Sequence, residues 1–297
     1  MSAPGVKVFA PAKLNLFLHV GERRQDGYHE LESLIAFAEA GDRLEFTPST
    51  ELQLKLSGPF AAQVPRGGDN LVLKAARALN ERAGATITLE KNLPVEAGLG
   101  GGSADAAATL RGLNALWRVE RSEAELVELA ASLGSDVPAC VLSRPCWMEG
   151  RGERVAATAP LPSLPVVLVN PGVMLPTSAV FAALNARSGV GSIRPPRAPM
   201  QSMWDLIAYL DNAENDLEAP ASRQRPVIDE ALEALNHEPG CVMAQMSGSG
   251  ATCFALFDGQ QFAFGAAERI AQEHPNWWVR STRLAGADIG APQWTDS

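Results

Sequence analysis

The stretch LPVEAGLGGGSADAAATLRGLNALW, Leu93–Trp117, runs four glycines within five residues straight into an alanine-rich segment. In that segment Ala106, Leu110, Leu113 and Trp117 recur at helical spacing and form an apolar stripe. A helix N-terminus carries unsatisfied N–H groups and the positive end of its dipole. Glycines in front of it let the backbone curl towards a ligand without a Cβ collision, aiming further N–H groups inward. The combination predicts a phosphate cradle. Ser103 is expected at the N-cap, its hydroxyl serving either the helix or a phosphate oxygen. The competing reading is a flexible linker, and the stripe that follows at once argues against it. No GK[ST] follows, so this is not a Walker A loop, nor is it the GxGxxG opening of a dinucleotide-binding unit. Asp105 falls in the first helical turn, where the dipole favours it or where it would help hold a metal ion.

Outward from the loop, strands and helices interleave without a regular βαβ rhythm, which predicts an α+β protein. VFAPAKLNLFLHVGERRQDGYHEL reads as a half-buried strand, with Ala12, Leu14, Leu16 and Leu18 on one face and Lys13, Asn15, Phe17 and His19 on the other. DRLEFTP, LQLKLSG and ATITLEKNLP read as further strands. NLVLKAARALNERAG reads as a helix with Gly84 as C-cap. Ser122 and Glu125 form a capping box that opens another helix, ended by Gly134. From about Pro160 the texture changes: an apolar strand, helices, and a strand–loop–strand unit in CVMAQMSGSGATCFALFDG. The Gly- and Pro-rich ARSGVGSIRPPRAP (186–199) reads as an exposed loop. A domain boundary is expected near residue 156, giving domains 1–156 and 157–297.

Composition limits the function. The 297 residues are 46% hydrophobic and 20% charged, as in globular proteins, and the net charge of −9 argues against nucleic-acid or anionic-membrane binding. No apolar run approaches the ~20 residues of a membrane span, and no signal peptide is read. The four cysteines show no CxxC pair and no metal-type spacing with the four histidines, so free thiols and a cytoplasmic setting are expected.

The glycine stretch PVEAGLGGGSADAA resembles the phosphate-binding motif of the GHMP kinases. PAKLNLFLHV resembles their N-terminal motif, and MSGSGATCFALF their C-terminal glycine motif. AKLNLFL, DGYHEL, DNLV, GLGGGSADAA, LGSDVP, PGVMLPT, NDLE and SGSGATCFALF also follow the order of one branch of that family. Its acceptor is a cytidine diphosphate-linked methylerythritol on the non-mevalonate route to isoprenoid precursors. The resemblance spans roughly residues 8 to 257. It implies the two-domain GHMP kinase fold: an N-terminal ATP-binding domain of the ribosomal protein S5 domain 2-like type, a C-terminal α+β ferredoxin-like domain, and an active site in the cleft between them. It implies ATP as co-substrate with Mg²⁺, small-molecule substrates, no nucleic acid and no membrane, and a monomer or weak homodimer.

Phosphoryl transfer to an alcohol needs an acceptor for the hydroxyl proton, cationic help and in-line positioning. Asp136, in GSDVP, is the candidate acceptor. On sequence alone an N-cap aspartate fits as well, and the resemblance favours the catalytic base. Lys13, mid-strand, reads as a snorkelling lysine at a sheet edge or as an ammonium with an anionic partner, and the resemblance implies that it sits beside that aspartate. Asn15 would hydrogen-bond the acceptor. Tyr28 and His29 are ordinarily a packed tyrosine and a surface histidine after a turn; the resemblance assigns them to the cytidine group. It assigns ATP to Pro94, Val95, Glu96, Ala97, Gly98, Leu99, Gly100, Gly101, Gly102, Ser103 and Ala104, with Asn70 near the adenine. Thr177 is expected mainly as a helix cap that touches substrate. Gly248, Ser249 and Gly250 either close on the diphosphate side or make a tight strand connection. A kinase for another alcohol, of the mevalonate or homoserine type, and a non-catalytic nucleotide-binding regulator are the alternatives.

Overall fold

A computed structural model describes residues 4–184, 200–211 and 213–295, so the expected loop at 186–199 lies outside the described residues. The elements in chain order are β1 (Val6–Arg23), β2 (His29–Pro48), β3 (Leu52–Ser57), α1 (Leu71–Leu79), β4 (Ala85–Glu90), α2 (Gly101–Leu116), α3 (Glu123–Ala130), α4 (Val137–Leu142), β5 (Cys146–Gly150) and β6 (Arg154–Ala157). There follow β7 (Pro165–Asn170), α5 (Thr177–Ala182), α6 (Met203–Leu210), α7 (Glu218–Gln224), α8 (Val227–Asn236), β8 (Cys241–Met246), β9 (Cys253–Phe257), α9 (Gln260–Glu273), β10 (Trp278–Arg283) and β11 (Gln293–Trp294). The α+β expectation holds.

Two sheets organise the chain. The first takes β11-β1-β2-β4-β3, with β5 on the other half of β2 and β6 beside β5. Among its described strand pairs only β3 and β4 run parallel, joined over α1. The second sheet is antiparallel, in the order β10-β7-β9-β8. The helices α1, α2 and α4 cover one face of the first sheet, where Phe46, Leu44 and Ile35 meet Leu110 and Leu113. Its other face packs on the second sheet: Ala12, Leu14 and Leu16 join Val166, Leu168, Phe254 and Leu256 in one cluster. The alternate residues Val167, Val169 and Ala255 turn to α8 and α9. A sheet covered on both faces reads as continuous apolar sequence. β1 is therefore buried on both faces over most of its length, not half-buried as expected.

The ladder between β1 and β2 is irregular at three places: between Pro11 and Ala12, between Asn15 and Phe17, and between Val20 and Arg23. Pro11 brings no N–H to the ladder. Val6, Val8 and Ala10 face the helices, whereas Ala12, Leu14 and Leu16 face the second sheet. That switch puts Lys13 and Asn15 on the helix side. At Leu16 one extra residue stands in β1, so Phe17 returns to the second-sheet side against Trp147 and Tyr209. The expectation that Phe17 shares a face with Lys13 is thus corrected. Bulges of this kind re-aim side chains beside functional sites.

Helix ends also differ from expectation. α1 stops at Leu79 with Asn80 as C-cap; Gly84 instead lies where an added Cβ would be 2.4 Å from the Ser49 carbonyl oxygen. α2 begins at Gly101, with Gly100 (φ 60°) as N-cap, so Ser103 belongs to the first turn and not to the cap. The Ser122–Glu125 capping box is present, and α3 ends at Ala130.

Candidate active site

A cavity of about 1720 Å³ opens where β1, the glycine loop, α5 and the β8–β9 turn converge. Lys13, Asn15, Tyr28, His29, Asn70, Gly98, Gly100–Gly102, Ser103, Asp136, Thr177, Gly248 and Ser249 all line it, with Val95, Glu96 and Ala97. Pro94, Leu99, Ala104 and Gly250, also expected at the nucleotide or substrate, are not on its wall. Leu99 and Ala104 are core residues, because the loop must pack one side to present the other.

The cradle is built from neighbours as much as from its own glycines. Lys13 N–H donates to the Leu99 carbonyl at 2.9 Å, tying the loop to β1. Gly100 takes φ 60° with its α-carbon against Lys13: an added Cβ would stand 3.2 Å from Lys13 Cβ and Cε. Gly98 has φ 77°, and a Cβ there would fall 2.5 Å from the Ser247 carbonyl oxygen. The two glycine loops are therefore packed backbone to backbone. Ser247 Oγ donates to the Gly98 carbonyl at 3.0 Å and accepts from Asn15 N–H at 3.2 Å. Asn215, in the NDLE motif, holds the second loop by donating to the Met246 and Gly248 carbonyls at 2.7 and 2.8 Å. Ala104 N–H is bonded to the Gly100 carbonyl at 2.8 Å, which leaves the amides of Gly101, Gly102 and Ser103 without helical acceptors.

Lys13 and Asp136 meet. Lys13 Nζ lies 3.1 Å from Asp136 Oδ1 and donates to Asn15 Oδ1 at 2.8 Å. Asn15 Nδ2 in turn donates to Ser33 Oγ at 2.8 Å, fixing the amide. Lys13 is 3% exposed, so its ammonium points into the cavity wall and is no snorkelling edge lysine; Asp136 is 37% exposed to the cavity side. Asp136 occupies the N-cap position of α4 but makes no side-chain cap bond. The cap and the ion pair compete for one carboxylate, and here the ion pair has it. α4 is held at its far end by Arg111 of α2, whose guanidinium donates to the Cys140 and Val141 carbonyls at 2.6 and 2.9 Å. Burial pushes the Arg111 guanidinium down to about 10, so it remains charged at neutral pH.

On the other side of the cavity, Asp26 Oδ1 accepts Tyr28 N–H at 3.1 Å and shapes the turn. Tyr28 is half exposed. His29 sits 3.1 Å through Nδ1 from the Gly21 carbonyl oxygen and 5.7 Å from the Phe181 ring of α5. Thr177 does not cap α5, whose N-cap is Pro176; its hydroxyl is 2.8 Å from Ser249 Oγ, bridging α5 and the second glycine loop. Asn70 caps α1, accepting Val72 N–H at 2.8 Å.

Sequence reasoning missed a buried ionic group beneath the cradle. Lys91 Nζ lies 2.6 Å from both Asp42 Oδ2 and Asp105 Oδ2. Asp42 Oδ1 also accepts the N–H groups of Asn92 and Leu93 at 2.5 and 2.9 Å, pinning the chain as it enters the loop. Burial alone would lower the Lys91 ammonium, but Asp105 and Asp42 outweigh it and raise it. Asp105 is pushed up to about 7, chiefly by burial, with Lys91 opposing and Asp42 adding. Asp105 is thus occupied by Lys91, and among the described residues no group of three or more His, Cys, Asp or Glu is placed to hold a metal. A signal existed: Lys91 continues the Ile87, Leu89 alternation, and Asp42 precedes Leu44 and Phe46 on the same inward register. The four cysteines are free, as expected, and among the described residues no helix is long and apolar enough to cross a membrane.

Comparison with known proteins fits this geometry. The GHMP kinases N terminal domain family matches residues 70–144, and GHMP kinases C terminal matches residues 183–276. The 4-diphosphocytidyl-2-C-methyl-D-erythritol kinase of Cereibacter sphaeroides is 48% identical over 94% of this chain and 99% of its own. That of Parvibaculum lavamentivorans is 47% identical over 96% and 100%. A crystal structure of 4-(cytidine 5'-diphospho)-2C-methyl-D-erythritol kinase superposes with TM-score 0.75 at 36% identity, over 95% of this chain and 100% of that one. Homoserine kinase from Cytophaga hutchinsonii shares the fold, with TM-score 0.70 at 17% identity, over 98% and 97% of the two chains. With nearly half of its residues identical to those relatives along almost the whole length, the chain belongs to the 4-diphosphocytidyl-2-C-methyl-D-erythritol kinase family of GHMP kinases.

Proposed function

We propose that the chain transfers the γ-phosphoryl group of ATP to the 2-hydroxyl of 4-diphosphocytidyl-2-C-methyl-D-erythritol, giving the 2-phosphate and ADP. The observation that carries this reading is the Lys13–Asp136 pair, 3.1 Å apart, on the wall of the cavity that the open amides of α2 also line. Asp136 accepts the hydroxyl proton as the oxygen attacks the γ-phosphorus and the bond to the β-phosphate oxygen breaks. Lys13, held by Asn15, steers that carboxylate and offsets charge on the transferred group. The amides of Gly101, Gly102 and Ser103 and the dipole of α2 bind the ATP phosphates, with Asn70 towards the adenine. Tyr28 and His29 receive the cytosine, and Gly248, Ser249 and Thr177 close the acceptor side.

Mg²⁺ would travel on the ATP phosphates with its own water shell, in keeping with its reluctance to dehydrate. We take residues 1–156 and 157–297 as the two domains, with β11 returning to the first sheet. Every group invoked comes from one chain, so a monomer suffices, and the cytoplasm, where ATP is supplied, is its place. The test is ADP release by the purified chain with ATP and a panel of alcohols. Turnover is expected with the cytidyl acceptor; a preference for mevalonate or homoserine would overturn the assignment.

A further inference from the structure

Among the described residues, the lysines and arginines on the cavity wall are Lys13, Arg23, Lys91 and Arg151. Lys13 is engaged by Asp136, and Lys91 by Asp42 and Asp105. Arg23 is an exposed rim residue whose Nε donates to the Gly27 carbonyl at 3.1 Å. Arg151 differs from all three. It is half-buried, its guanidinium has no carboxylate partner among the described residues, and it lies over the Tyr28 ring, 5.3 Å from the centroid.

Its backbone is fixed. Arg151 N–H donates to Glu153 Oε2 at 2.7 Å, and Gly152 N–H to the Glu149 carbonyl at 3.2 Å, closing the β5–β6 turn. The turn presses on the residue before Asp136: a Cβ at Gly152 would stand 2.8 Å from the Ser135 carbonyl oxygen. The turn thus lies beside the proposed reacting carboxylate, and its arginine reaches over the aromatic ring assigned to the base. Asp136, Arg151 and Tyr28 all line the one cavity.

Resting on the cytidyl-acceptor reading, we propose that Arg151 binds the diphosphate linking the cytidine and the alcohol of the acceptor substrate. A planar guanidinium stacks on an aromatic face and still offers paired N–H donors to phosphate oxygens. In a chain of net charge −9, an acceptor carrying a diphosphate needs a cation not already neutralised by a carboxylate; Arg23 and Arg151 both qualify, and Arg151 is the half-buried one that lies over Tyr28. It covers one side of the Tyr28 ring, leaving the other to stack on the base, so the aromatic residue and the cation read adjacent parts of one ligand.

Calorimetric titration of the full chain with CDP, CMP and cytidine tests this, using the wild type, Arg151→Met and Arg151→Lys. The wild type is expected to bind CDP more tightly than cytidine. Arg151→Met should weaken CDP by about tenfold or more, the scale of a lost charge-assisted contact, while cytidine changes less than about threefold. Arg151→Lys should recover part of the CDP loss, and an ATP analogue should bind all three proteins alike. Equal losses for CDP and cytidine, or no loss for CDP, overturn the role given to Arg151 alone. A wild type that binds none of the cytidine ligands overturns the acceptor reading and this inference with it.

Discussion

Replacing Lys91 by methionine keeps most of the unbranched stem of the side chain and removes its charge. In the native chain Nζ is 2.6 Å from both Asp42 and Asp105, and none of the three side chains is more than 4% exposed. Asp42 would retain the two backbone N–H groups of Asn92 and Leu93. Asp105 would keep only the neighbouring Asp42 carboxylate, which repels it while both are ionised, and its other oxygen, Oδ1, is buried without a partner. Removing one member of a buried pair costs about 3–5 kcal/mol, because the charge left behind is unpaired. Against an ordinary stability of about 5–15 kcal/mol that is a large share. At about 2 °C per kcal/mol for a chain of this size, the melting temperature should fall by about 6–10 °C in scanning calorimetry at pH 8. The deficit should shrink at pH 5, where the abandoned carboxylates relieve themselves by protonation. Adding Asp105→Asn to Lys91→Met should recover part of it at pH 8. A Lys91→Met protein melting within about 2 °C of the parent at pH 8 would refute the claim that this ion group anchors the cradle.

Asp105→Asn alone probes the pH sign. With its carboxyl raised from 3.8 to about 7, the folded chain keeps a proton that the unfolded chain has released, so this group's contribution to stability is full below about pH 4 and is lost as pH rises through 7. Urea unfolding should therefore show the variant gaining on the parent between pH 5 and pH 8. Asp136→Asn and Lys13→Ala should each lower kcat by about 10²-fold or more in steady-state assays, and the double variant should lose far less than the product, because the two act as a unit. Gly98→Ala should raise KM for ATP about tenfold and reduce stability: φ is 77° and its Cβ would lie 2.5 Å from the Ser247 carbonyl oxygen and 2.8 Å from that of Gly250. Unchanged kinetics and melting would show that the two loops give way without cost.

The glycine turn and the helix start behind it were legible in the linear order of residues because their physics is local. Glycines, a helix start and an apolar stripe within twenty-five residues define an amide-lined hollow wherever the chain folds. The Ser122–Glu125 capping box was legible for the same reason, being closed within one turn. Asp136 was ambiguous by nature: a carboxylate before a helix caps it unless something stronger arrives, and that something, Lys13, comes from a strand over a hundred residues away. The side of β1 on which Lys13 points could not be read from alternation, because two irregularities in the β1–β2 ladder reverse the facing between Ala10 and Phe17. Lys91 and Asp42 stood on inward registers, yet whether a buried charge is tolerable depends on partners supplied by other elements. The residue types of the site were thus set by sequence, whereas the partner each charge finds was decided only by tertiary packing. Hydrogen bonds and ion pairs act over about 3 Å, and only the folded chain brings distant segments that close.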